Sequence, residues 1–173
     1  MSLPPPRAYV GMGSNLGDRA GNLLLGVRGM MDGGLRVLRL SSVYETEPVG
    51  VEGEQPAFLN MAAELCAPLP PPEELLALLL SVEHALGRRR ATPLAARTLD
   101  LDLLLYGDVR TETAALTLPH PRLHQRRFVL APLAELAPDA LHPALGKTFA
   151  ELLAATADDS HVELWKPNEI GEQ

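Results

Sequence analysis

Two aspartates stand two residues apart in "RTLDLDLLLYG", residues 97–107, inside an otherwise apolar run. On a strand alternate side chains share a face, so Asp100 and Asp102 project together, roughly 6–7 Å apart at about 3.3 Å of rise per residue. Carboxylates that close raise each other's pKa or require a cation. Hard oxygen donors with no His or Cys beside them suit Mg²⁺, which keeps waters and takes the phosphate oxygens of a substrate. The plainer alternative is an edge strand with two acids on its solvent face. Leu101, Leu103, Leu104 and Leu105 argue instead for a buried strand.

Arginines gather close by. Arg97 stands three residues before Asp100, and Arg88, Arg89 and Arg90 lie one loop earlier. Alone, such a run is a solvated basic loop. Beside an acidic metal pair, guanidinium forks would hold the phosphate oxygens that the metal leaves over, which is a phosphoryl-transfer arrangement. The stretch "LPHPRLHQRRF" adds His120, Arg126 and Arg127. Two arginines at a predicted helix start oppose the helix dipole, and an anion there would remove the conflict.

Two further stretches are suggestive. "GMGSNLGD" lacks the lysine and spacing of a P-loop and the dinucleotide fingerprint, so it reads as a glycine turn that lets something approach the backbone. In "PAFLNMAAEL" the amide of Asn60 shares a face with Phe58. An amide beside an aromatic ring can read the edge of a flat heterocycle while the ring stacks on its face. An asparagine bonding neighbouring backbone is the plainer reading.

The elements that must position these residues follow from periodicity and turn signals. Residues 1–7 read as a flexible tail ahead of a single catalytic domain, 8–173. A strand over 8–12 runs into the glycine turn, and a helix over 19–31 ends at "DGG". "LRVLRLSSVYETEP" predicts one strand with an irregular middle, and "PAFLNMAAELCAPL" another. "PPPEELLALLLSVEHALG" predicts a helix with Pro72 and two glutamates in its first turn and Gly87 closing it. The acid-bearing strand, a turn at Gly107, helices in "RRFVLAPLAELAP" and "LGKTFAELLAAT", and a closing "VELWK" complete the chain. The order β-α-β-β-α-β with C-terminal helices predicts an α+β fold, an antiparallel sheet covered by helices.

Bulk properties narrow the field. The 173 residues, 46% of them hydrophobic and 21% charged, suffice for one compact core. A net charge of -7 argues against a broad nucleic-acid surface while allowing a local basic pocket. Cys66 is the only cysteine, so neither an intrachain disulfide nor a cysteine zinc site is possible. With no signal segment and no apolar run of about 18 residues, a cytoplasmic protein without membrane or nucleic-acid partners is expected. A monomer is the expected state, with a weak dimer as the alternative.

Taken together the motifs resemble the 6-hydroxymethyl-7,8-dihydropterin pyrophosphokinase family. The resemblance runs from "YVGMGSNLGD" through "SSVYETEPVG", "PAFLNMAAEL" and "ARTLDLDLLLYG" to "LTLPHPRLHQRRFVLAPLAELAP". It implies a ferredoxin-like α+β sandwich and transfer of pyrophosphate from MgATP to the pterin hydroxymethyl group, with release of AMP. Asp100 and Asp102 would then ligate two Mg²⁺ ions. Glu83, Arg88, Arg97, His120 and Arg126 match positions that hold ATP, and Arg88, Arg97 and the two aspartates are the expected catalytic set. Gly13, Asn15, Thr46, Val49, Phe58, Asn60 and Phe128 match positions around the pterin, with Phe128 stacking on it. Three departures stand out. "LAA" precedes Arg97 where well-studied members carry Trp-Gly-Pro, Ala115 replaces an arginine of some members, and Glu47 replaces a proline. The loop over 88–96 is expected to close over the phosphates, with Leu94 as its apolar plug.

Overall fold

The computed structural model describes residues 2–51, 53–87 and 96–167. Strand β1, Arg7–Ser14, lies inside the sheet next to its edge strand, antiparallel to β4, Phe58–Cys66, on one side and to that edge strand, β5, Asp100–Tyr106, on the other. The far edge of β4 is shared by β2, Arg36–Leu40, and β3, Tyr44–Thr46; β3 in turn pairs with β8, Val162–Leu164. A separate hairpin joins β6, Thr111–Glu112, to β7, Thr117–Leu118. The mainly antiparallel sheet with helices on both faces is the expected α+β architecture.

Strand alternation decides what each face buries. Ala8, Val10 and Met12 of β1, with Leu59, Met61, Ala63 and Leu65 of β4, point toward α1, Arg19–Asp32, and α2, Pro72–Ala85. Leu23, Met30, Leu75 and Leu79 meet them there, each fully buried leucine contributing about 1.5–3 kcal/mol. The opposite residues, Tyr9 and Ala62 among them, meet α3, Arg127–Leu136, and α4, Phe149–Ala155. A register shift between Tyr9 and Val10 skips Leu104, so Leu104 and Leu105 both join this second core. Local signals start the helices. The Asp18 carboxylate accepts from Gly21 N–H at the head of α1, and Thr148 and Glu151 form a reciprocal capping box on α4.

Two expectations need correction. The segment read as one irregular strand is two. Ser41 still bonds Ala62 of β4, its N–H donating to the carbonyl at 2.9 Å and its Oγ accepting from the N–H at 2.8 Å. The Ser42 N–H and hydroxyl instead donate to Glu135 on α3, at 2.9 and 2.7 Å. Tyr44 also donates to Glu135, so one carboxylate ties β3 to α3. The first strand begins one residue earlier than expected and continues through Ser14, which places Gly13 within the ladder rather than in a turn.

Candidate active site

The site grows out of two rows across the sheet. Asn60 on β4, Gly13 on β1 and Asp100 on β5 are register partners, and Ala62, Gly11 and Asp102 form the next row. All face the α3 side. The two glycines make a bare floor between the amide and the acids. A Cβ at Gly13 would meet Asn60 Oδ1 at 2.7 Å, so only glycine allows the amide to lie there.

Above this floor opens a cleft of about 380 Å³, within the range of small-ligand sites. Thr46, Phe58, Asn60 and Phe128 line one part, and Arg97, Asp100, Asp102, His120 and Arg126 the other. Glu47, Val49, Gly50 and Val51 form the rim. Asn60 is buried and donates through Nδ2 to Thr46 Oγ1 at 2.7 Å, which fixes its amide plane. The Arg126 guanidinium sits 5.6 Å from the centre of the Phe128 ring, linking the apolar and cationic parts.

Charges of both signs crowd the cleft. Arg97 Nη1 donates to Asp100 Oδ2 at 2.7 Å. The Asp102 carboxyl is pushed up to about 7, first by burial and then by Asp100, with Glu83 adding to this and Arg126 and Arg97 opposing. His120 is held at about 4 by burial, then by Arg126 and Arg122, against Asp100, so it is neutral near pH 7. Its Nδ1 accepts from Arg122 N–H at 3.2 Å, leaving the ring proton on Nε2. A part-protonated acid beside another acid, with cationic donors opposite, is a place for a cation and an anion together.

Residues 9–138 match the family described as 7,8-dihydro-6-hydroxymethylpterin-pyrophosphokinase (HPPK). The chain belongs to that family. Two relatives are named 2-amino-4-hydroxy-6-hydroxymethyldihydropteridine pyrophosphokinase. The Bacillus subtilis protein is 42% identical over 160 residues, covering 92% of this chain and 90% of its own length. The Synechocystis protein is 44% identical over 147 residues, covering 84% and 74%. A solved structure described as HPPK-DHPS in complex with substrates superposes on 88% of this chain with a TM-score of 0.70 at 12% identity; this chain spans 43% of it. That likeness supports the fold.

Most residues expected from the HPPK resemblance converge on the cleft: Gly13, Thr46, Val49, Phe58, Asn60, Arg97, Asp100, Asp102, His120, Arg126 and Phe128 all line it. Glu83 and Asn15 do not. Glu83 is buried on α2, and its carboxylate accepts from Leu101 N–H at 2.7 Å, on the strand that carries the acids. Asn15 is buried as a joint between loops: Nδ2 donates to Gln55 Oε1 at 3.0 Å and toward the Pro56 carbonyl at 3.4 Å, and Oδ1 accepts from Arg97 N–H. Arg88 and Leu94 lie outside the described residues. Sequence reasoning missed Gly50, Val51, Arg122 and Gln125, which also line the cleft, and Gly11, which lines a small adjoining pocket. The signal for Gly11 was its spacing of two from Gly13, and Arg122 and Gln125 fall inside the flagged "PHPRLHQRR" stretch.

Proposed function

We propose that this chain transfers the pyrophosphoryl group of MgATP to the hydroxymethyl oxygen of 6-hydroxymethyl-7,8-dihydropterin, giving the pterin pyrophosphate and AMP. One observation carries the reading. In a chain of the HPPK family, a corner of amide and aromatic side chains (Phe58, Asn60, Phe128) and a corner of acids and arginines (Asp100, Asp102, Arg97, Arg126) line one cleft on either side of Gly13.

The acid pair fits magnesium. Asp100 and Asp102 are hard oxygen donors, and burial and mutual repulsion raise the Asp102 carboxyl, a strain that a cation would relieve. Among the described residues no three His, Cys, Asp or Glu side chains converge to hold an ion alone. This suits an ion that completes its shell with water and phosphate oxygens. Asp100 and Asp102 would hold two Mg²⁺ ions, which when bound supply positive charge to the triphosphate.

The chain's own residues bind and align. Asn60 and Thr46 read the pterin edge while Phe58 and Phe128 sandwich the ring. Arg97, Arg126 and the Nε2–H of His120 hold phosphate oxygens, with Arg88 as a further proposed contact. Glu83 serves the nucleotide side by bracing β5 and raising Asp102. The hydroxymethyl oxygen forms a bond to the β-phosphorus as the bond from that phosphorus to the α,β-bridging oxygen breaks. AMP departs with the electron pair, and the hydroxyl proton passes to water. Positioning and charge carry the rate. We read the protein as a cytoplasmic monomer acting on small molecules.

Incubation with MgATP and the hydroxymethyl pterin tests this. AMP is expected in equal amount to pterin pyrophosphate. ADP as the nucleotide product would replace the reading with ordinary γ-phosphoryl transfer. Tight nucleotide binding without turnover would favour the rival reading, a binding module with a structural metal.

A further inference from the structure

Helix α3 opens with two arginines, and its N-cap residue, Arg126, supplies no side-chain cap. The first N–H groups of a helix need acceptors, and cations at that end oppose the dipole. The sequence pointed to an anion here. The chain provides one from another element: Asp158 Oδ2 accepts from Arg127 N–H at 2.8 Å. The same carboxylate takes Ser160 N–H through Oδ1 at 2.9 Å, which turns the backbone toward the sheet.

From that turn the segment reaches the other side of the cleft. His161 N–H donates to Glu47 Oε1 at 2.7 Å, and Glu47 N–H donates to the His161 carbonyl at 3.2 Å. Val162 then pairs with Thr46 and Leu164 with Tyr44 in the β8–β3 ladder. Trp165 N–H donates to the Val43 carbonyl at 2.9 Å, and its indole packs against the core. Residues 158–165 therefore bond at once to the start of α3 and to the whole of β3. Those two elements and the residues flanking them both line the cleft, Arg126 and Phe128 from the start of α3 and Thr46 and Glu47 from the end of β3. None of residues 158–165 lines the cleft itself, and all lie beyond the region matched to the family.

We propose that this C-terminal segment is a clasp that sets the distance between the Phe128 wall and the Thr46–Asn60 wall, with Asp158 as its positioning residue. The inference rests on the pterin reading of the site. β3 has three residues, paired with β4 on one edge and with β8 on the other. Without the clasp, α3 is still tied to this edge of the sheet by Glu135, but at Tyr44 and Ser42, which do not line the cleft. The Arg19–Glu45 ion pair at 2.7 Å and the Asn60–Thr46 bond hold β3 to α1 and β4, not to α3. Among the described residues the hydrogen bonds that lead from the start of α3 to Thr46 and Glu47 run through Asp158 and the Glu47–His161 pair.

The experiment measures pterin affinity by calorimetry, with a non-hydrolysable MgATP analogue present, well below the melting temperature of every variant. Asp158→Ala is expected to raise the pterin Kd about five- to tenfold; Asp158→Asn, which keeps one acceptor oxygen, should recover much of the loss. Arg127→Pro removes the donor at a helix position where proline is welcome, and Arg126 already has the extended φ and ψ, -121° and 110°, that precede proline. Its effect should match that of Asp158→Ala, and the double variant should add less than twofold. A lower melting temperature with unchanged pterin Kd in both aspartate variants would leave Asp158 a structural cap and overturn the clasp. Full additivity with Arg127→Pro would overturn the proposed route. If the wild-type protein binds no pterin, the functional reading fails first and the clasp with it.

Discussion

Asn15 and Arg97 hold each other from both sides: Arg97 N–H donates to Asn15 Oδ1 at 2.7 Å, and Asn15 N–H donates to the Arg97 carbonyl at 3.0 Å. The pair pins the backbone at Arg97 to the end of β1. Three residues on, the Arg97 side chain meets Asp100 at 2.7 Å. One buried amide thus fixes the backbone from which a proposed phosphate contact extends.

Asn15→Ala leaves the Arg97 N–H short of its acceptor in a buried place, at a cost of roughly 1–3 kcal/mol. A melting temperature below wild type follows. If Arg97 must be held to act, kcat should also fall by about ten- to a hundredfold, the scale on which small misplacements are felt. Steady-state kinetics at a temperature where the variant is folded separates the two. Lost stability with wild-type kcat would mean that Arg97 finds its place without Asn15.

The acid pair permits a cleaner test. Asp100→Asn and Asp102→Asn preserve size and remove charge, so the fold should survive while turnover falls by at least about 10²-fold in each. Raised Mg²⁺ should recover little. Near-wild-type turnover at limiting Mg²⁺ would remove both residues from the metal site.

The raised Asp102 carboxyl also predicts a pH dependence of stability. An unfolded aspartate titrates near 3.9, whereas Asp102 in the fold is pushed up to about 7. Between these values the folded protein keeps a proton that the unfolded chain releases. Ligand-free stability therefore falls as pH rises through that window, on the order of 1.4 kcal/mol per pH unit at the steepest. Asp102→Asn cannot ionise, so in chelator at pH 8 it should melt above wild type, and the gap should close toward pH 4–5. A variant that melts below wild type at pH 8 would show that the carboxylate is stabilised, not strained, in the empty fold.

How much of this was legible beforehand depends on the range of the interaction. The acid pair, the Phe58–Asn60 face and the α2 boundaries were readable because strand alternation and helix-end chemistry are local. The break at Ser42 was not, since its partner there, Glu135, is more than ninety residues away. Glycine at 13 was rightly read as permitting close approach, but to a side chain of the neighbouring strand rather than around a turn. The conflict at Arg126 and Arg127 was visible as a missing anion. That Asp158 would fill part of it lay in the tertiary path of the C-terminal segment, which no local pattern encodes.

The close approach of Gly13 and Asn60 supports a double-mutant test. Gly13→Ala places a methyl group 2.7 Å from Asn60 Oδ1 and 3.6 Å from Phe58 Cδ1, so the amide must swing off its bond to Thr46. Pterin affinity should drop, whereas affinity for an ATP analogue alone should stay close to wild type. Asn60→Ala removes the same reading group directly and leaves ligand donors and acceptors unpaired, a loss of roughly 1–3 kcal/mol. Because both act through one amide, the effects should not add. Once Asn60→Ala has cleared the amide away, the new methyl at position 13 has room, and the double variant should bind pterin about as well as Asn60→Ala alone. Calorimetric titration of the two single variants and the double one closes the cycle. Full additivity would mean that glycine is needed at 13 for the ligand itself, and that the Asn60 amide is not what a side chain there displaces.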